Sequence, residues 1–117
     1  MSEKFNAMQQ LVVDAASEIK AFDILILDLR NRSDLTDSFM ICSANSKVQV
    51  QSIVDNILDK CNLAKIKPLG VEGYSGGYWV VVDLGDLIAH VFHKEARLHY
   101  DLERLWGDVP VIKAVGE

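Results

Sequence analysis

The sequence predicts an α/β protein in which a mixed, largely antiparallel sheet of five strands packs with three helices. Three observations carry this reading. Tyr78 to His93 reads as two apolar, β-branched runs around Gly85-Asp86, a two-residue loop of the kind that closes a tight hairpin. Apolar residues recur at three- and four-residue intervals in three other stretches, the period of a helix with one buried side. The runs Ile24 to Leu29 and Phe39 to Ser43 are separated only by the polar segment Arg30 to Asp37. That segment is too short for a helical crossover, so the two strands are expected to pair antiparallel.

Taken in order, Met8, Leu11, Val12, Ala15, Ala16 and Ile19 mark an amphipathic helix over about residues 5–20. The two strands just named follow. Ser46 and Gln49 have the spacing of a capping box, and Val50, Ile53, Val54, Ile57, Leu58 and Cys61 form the buried side of a second helix. Lys67 to Val71 reads as a short strand that Pro68 confines to a sheet edge or a strand start. Ser75-Gly76-Gly77 turns the chain into the hairpin, whose two-residue loop sets the register and opposes Trp79 to Phe92, Val81 to His90 and Asp83 to Ile88. Alternation then gives one wholly apolar face, Val80, Val82, Leu84, Leu87, Ala89 and Val91, and one mixed face, Trp79, Val81, Asp83, Ile88, His90 and Phe92. A third helix carries Leu98, Leu102, Leu105 and Trp106 on one stripe, with Glu95 in its first turn, Arg104 in its last and Gly107 as its stop. Three helices cover one sheet face fully and the other in part, so the face with Trp79 and Phe92 is where a partner is expected.

A chain of 117 residues supports one core, read as a single domain over 1–117 with 109–117 as a short C-terminal tail. The net charge of −5 opposes general or sequence-specific nucleic-acid binding and fits a basic protein partner. Cys42 and Cys61 suggest no disulfide framework, no stretch is apolar for long enough to span a membrane, and Met-Ser-Glu-Lys-Phe-Asn lacks an apolar signal region. The expected setting is the cytoplasm.

Enzymatic chemistry finds little support in the residues. His90 and His93 fall on opposite faces by alternation, and with His99 they complete no metal-ligand set, so no metal or cofactor is expected. Cys42 lies in an apolar strand where a low thiol pKa is unexpected. Ser43-Ala44-Asn45-Ser46 serves better as a helix cap than as a phosphate cradle. Asp28, Asp83 and Asp86 belong to different segments, whereas two-metal chemistry needs carboxylates that converge on one face. Neither a P-loop nor a dinucleotide fingerprint is present. On the mixed face, aromatic anchors beside a few polar groups suit a protein interface slightly better than a core.

Several ordered blocks go further. They are Ser33-Asp34-Leu35-Thr36-Asp37-Ser38-Phe39-Met40-Ile41-Cys42-Ser43; Val71-Glu72-Gly73; Trp79 with Val82-Asp83-Leu84-Gly85-Asp86; His90-Val91-Phe92; and Arg97, Tyr100 and Leu102-Glu103-Arg104-Leu105-Trp106. In this order and spacing, over about Phe5 to Asp108, the chain resembles the ribosomal silencing factors, or Iojap family. The resemblance implies a fold similar to nucleotidyltransferases, an α/β/α arrangement around a mixed five-strand sheet, without their activity. Relatives often have Gly where this chain has Ala44, and the Asp-x-Asp of those enzymes is missing. It implies a non-enzymatic translational repressor that docks on the large ribosomal subunit through ribosomal protein number fourteen. Occupying that basic protein blocks joining of the small subunit when nutrients are scarce, and some members of the family are homodimers when free. The partner-binding residues it implies are Trp79, Asp83, Leu84, Gly85 and Asp86, with His90 on the same mixed face and Arg97 and Tyr100 from the last helix. Trp79 would be the apolar anchor, Asp83 or Asp86 acceptors for Lys or Arg, and Gly85 the turn former. The alternative is a nucleotidyltransferase-like enzyme using Mg-bound carboxylates.

Overall fold

The structure, a computed structural model, describes residues 5–31, 33–100 and 111–113. The order of elements is α1 (Ala7–Glu18), β1 (Phe22–Asp28), β2 (Ser38–Ala44), α2 (Lys47–Leu63), β3 (Gly70–Glu72), β4 (Trp79–Asp83), β5 (Leu87–His93), α3 (Lys94–Tyr100) and β6 (Val111–Lys113). All five expected strands are present. A sixth, the short β6, falls in the segment read as a tail and pairs antiparallel with β1. The sheet order is β3-β4-β5-β2-β1-β6, with β2 and β5 the one parallel pair among the described strands.

The hairpin adopts the expected register, with Trp79 opposite Phe92, Val80 opposite Val91, Val81 opposite His90, Val82 opposite Ala89 and Asp83 opposite Ile88. Gly85 takes a φ of +91° at the loop, a value an L side chain tolerates poorly, and the Leu84 N–H closes the turn on the Leu87 carbonyl. The all-apolar face of β4 and β5 lies entirely in the main core, under α1 and α2, with Val12, Ala15, Val50, Ile53 and Ile57 packed against it. β1 and β2 pair antiparallel as expected, with a bulge on β1: Phe22 opposes Ser43 and Leu25 opposes Ile41, so Asp23 and Ile24 stand against Cys42 alone.

Both long helices start with side-chain caps. At α1, Asn6 accepts from the Gln9 N–H and Gln9 accepts from the Asn6 N–H, a complete capping box that hydrophobic periodicity alone does not reveal. At α2 only half of the expected box forms. Ser46 accepts from the Gln49 N–H, but the Gln49 Oε1 reaches past Ser46 to the Asn45 N–H. The Gln49 amide meanwhile donates to the carbonyls of Ile19 and Lys20, tying the end of α1 to the start of α2.

α3 lies on the other side of the sheet. Its buried residue is Ala96, and Leu98, expected on the buried stripe, is 84% exposed. Two residues advance a helix by about 200°, so Leu98 points away from the sheet when Ala96 points toward it. The remaining stripe residues Leu102, Leu105 and Trp106, with Arg104 and Gly107, lie outside the described residues. The strand expected at Lys67 to Val71 is Gly70–Glu72, displaced along the chain: the Leu69 N–H donates to the Asp83 carbonyl on β4, and the paired residues run on from there as Gly70 opposite Asp83, Val71 opposite Val82 and Glu72 opposite Val81. Among the described residues, no helix is long and apolar enough to cross a membrane.

Candidate functional site

The mixed hairpin face carries a second, smaller core of Leu27, Leu29, Phe39, Ile41, Ile88, Phe92 and Ala96, against which Trp79 and Val81 pack half-buried. Phe92, grouped with Trp79 on the partner-facing side in the sequence reading, is fully buried within the chain. It lies under Trp79 at a ring-centroid distance of 5.1 Å in a near-parallel stack. Tyr100, from the end of the described part of α3, covers the indole from outside at 4.5 Å and is itself 45% exposed. The result is a stepped aromatic surface: Phe92 inside, Trp79 between, Tyr100 at the rim. On the opposite face, by strand alternation, the β5 residue His93 stacks on exposed Tyr78 at 5.6 Å.

His90 completes the cluster from below. It is 6% exposed, accepts the Trp79 indole N–H on its Nδ1 at 3.1 Å, and meets Phe39 edge-on at 4.5 Å. Burial pushes its pKa down from 6.5 to about 4, so the ring is neutral at physiological pH.

The hairpin turn is clamped by the segment before β2. The Thr36 hydroxyl donates to the Gly85 carbonyl at 3.0 Å, and the N–H groups of Asp37 and Ser38 both donate to the Asp86 carbonyl. Two separate sequence blocks thus meet at one point, with buried Thr36 as the link that sequence reasoning passed over. Its signal was only its place in the block Ser33 to Ser43. Asp83 is half-buried and accepts the Gly85 N–H at 2.9 Å, stiffening the turn, while Asp86 stands exposed at the tip. Gly73 is equally constrained: at φ +84°, a Cβ there would overlap the carbonyl oxygen of Trp79.

Of the remaining predicted residues, Leu84 turns into the main core and is 6% exposed. The Arg97 guanidinium donates to the Ser43 hydroxyl at 2.9 Å and to the Asp23 carbonyl that the β1 bulge turns outward, bolting α3 to β1 and β2. The structure therefore brings Trp79, His90 and Tyr100 together and sets Asp83, Gly85 and Asp86 apart from them, at the turn end of the hairpin.

Asp28 and Asp83 do not converge. Through the strand registers Asp83 shares a row with Ile88, Phe39 and Leu27, which puts Asp28 on the opposite face. Asp28 instead binds Arg30 through both oxygens, at 2.9 and 2.6 Å, and the hydrogen bonds from Arg30 hold its carboxyl below the usual range. Among the described residues no three His, Cys, Asp or Glu side chains are grouped to hold a metal ion.

Comparison with known proteins agrees with this architecture. The family model described as "Ribosomal silencing factor during starvation" matches residues 2–117. A ribosomal silencing factor of Bacillus subtilis is 43% identical over 87% of this chain and 86% of its own length. The crystal structure of a Chromobacterium violaceum protein superposes with a TM-score of 0.84 at 33% identity, covering 93% of this chain and 91% of that one. A more distant relative is the mouse protein named for mitochondrial assembly of the ribosomal large subunit, 26% identical over 82% of this chain and 43% of its own length.

Proposed function

Because this chain belongs to the ribosomal silencing factor family, we propose that it represses translation by binding the large ribosomal subunit and keeping the small subunit from joining. The contact is ribosomal protein number fourteen, a basic protein, and the chain acts by occupancy, not as an enzyme. The observation that carries this reading is the stepped aromatic surface of Trp79 and Tyr100, partly exposed at one end of the β4–β5 hairpin with an acidic turn at the other, on the face of the sheet that has the smaller core among the described residues. Large amphipathic rings sharing a surface with charged acceptors suit a protein interface. Trp79 and Tyr100 supply apolar area, and Asp86 and the free edge of Asp83 face Lys or Arg on the partner. His90, Leu84, Gly85 and Arg97 shape the surface from within. Blocking subunit joining by occupancy requires affinity and a footprint, and no transition state has to be stabilised.

The test is sedimentation of isolated subunits mixed with the purified chain. The wild-type chain is expected to co-sediment with large subunits and to suppress joining. Trp79→Glu is expected to lose both, because a central anchor contributes about 2 kcal/mol or more. Tyr100→Ala, a rim residue, is expected to show a smaller loss. Full suppression by Trp79→Glu with a native circular dichroism spectrum would remove this surface as the site.

A further inference from the structure

The ring of His90 poses a question that packing does not answer. It fills a buried place between Phe39, Trp79 and Phe92, where an apolar side chain would carry no polar cost. With Nδ1 accepting from Trp79, the neutral ring carries its proton on Nε2, and among the described residues Nε2 has no hydrogen-bond partner. A buried polar atom left unsatisfied is destabilising and calls for an explanation. What histidine has that phenylalanine lacks is the acceptor, and what the acceptor holds is the one half-buried indole of the aromatic surface.

We propose that His90 is a positioning residue for docking: it does not meet the partner, and its Nδ1 fixes the plane of the Trp79 indole so that Trp79 and Tyr100 present one preformed surface. This inference rests on the docking reading above. Without the hydrogen bond, the indole keeps its contact with Phe92 but can turn about its own axis, and binding must then order it. Freeing one large side chain weakens binding because that ordering is charged against the complex. Protonating Nδ1 would have the same effect, since a donor would then face a donor. Among the described residues, the titratable groups on this side of the sheet are Glu72 on β3, Asp83 on β4 and Arg97, His99 and Tyr100 on α3. β1 and β2 present Leu25, Leu27, Phe39, Ile41 and Ser43 there, and β5 itself Ile88 and Phe92.

Two variants of the full chain and one spectrum test it. In the free protein, the Trp79 indole resonance, assigned with Trp79→Phe, is expected to shift with the protonation of His90 as pH falls toward 4. That dependence is expected to vanish in His90→Asn. At neutral pH, His90→Phe is expected to bind isolated large subunits about three- to ten-fold more weakly. His90→Asn, whose Oδ1 can stand in for Nδ1, is expected to recover to within about two-fold, the signature of an acceptor and not of volume. A His90→Phe variant that binds as tightly as wild type, or an indole resonance indifferent to His90 protonation, overturns the proposal. A wild-type chain that does not co-sediment overturns the docking reading instead, and the indole titration then still decides whether His90 controls Trp79.

Discussion

Phe92 and Trp79 oppose each other across one hairpin, yet the first is wholly inside the molecule and the second only partly. The difference is made by neighbours, not by the pair: β5 is an inner strand flanked by β2 and β4, whereas β4 is followed outward only by the three residues of β3. His90, on the inner strand, inherits the burial of Phe92, and this has a consequence for pH. Its folded pKa of about 4 lies below the ordinary histidine value. Between the two values the unfolded chain binds a proton that the folded chain does not, so stability rises with pH across that window. The contribution is complete above about pH 6.5, falls as pH drops below it, and is gone below about 4, with a span of roughly 3 kcal/mol. Chemical denaturation of wild type and His90→Phe at several pH values checks this. The gap between the two stabilities is expected to widen in favour of the phenylalanine variant as pH falls from 7 to 4. Parallel curves would contradict it.

Elements differ in how firmly they are held. β2 is buried at every residue and β5 at all but His93, and these two central strands are set by side chains on both faces. α3 is attached more lightly, by Ala96 against the small core and by the Arg97 guanidinium on Ser43 and Asp23. Arg97→Met keeps the aliphatic stem and removes those donors. It is expected to lower stability by about 1–3 kcal/mol and to speed amide exchange over Lys94–Tyr100 more than in α1 or α2. Binding should weaken with it, because Tyr100 rides on the same helix. This role of Arg97 was illegible in the sequence, since it depends on a bulge at Asp23 that no local pattern announces. The same holds for β6, a three-residue strand whose partner lies far back in the chain. What was legible was local and periodic: the hairpin register, which follows from a two-residue loop and a period of two, and the buried stripes of α1 and α2. Leu98 shows the limit of that reasoning. A stripe drawn through a helix depends on which turn meets the sheet, and here Ala96 meets it.

On the scale of the whole molecule, the two sheet faces carry cores of different size. α1 and α2 seal one face with the larger core. The opposite face has the smaller core, and its outermost aromatic rings remain partly in water. Trp79, His90, Phe92 and Tyr100 put their rings on this second face, and Asp83 to Asp86 form the turn at its end. For the proposed basic partner, the chain's net charge of −5 is attractive at long range, and Asp86 stands exposed at the hairpin tip. Apolar anchors and exposed charges leave different kinetic marks. Charges at a rim govern the rate of encounter and its sensitivity to salt, whereas buried rings govern the lifetime of the complex. Asp86→Lys keeps the backbone carbonyl that receives Asp37 and Ser38, so the fold and melting temperature should be unchanged. Its association with large subunits is expected to slow by about two- to ten-fold at low ionic strength, with a shallower salt dependence and little change in dissociation. Tyr100→Ala is expected to do the reverse, with faster dissociation and a salt dependence like wild type. Stopped-flow measurement of both variants across a salt series separates the two contributions. If Asp86→Lys associated as fast as wild type at low salt, the acidic turn would have no part in steering the chain to its partner.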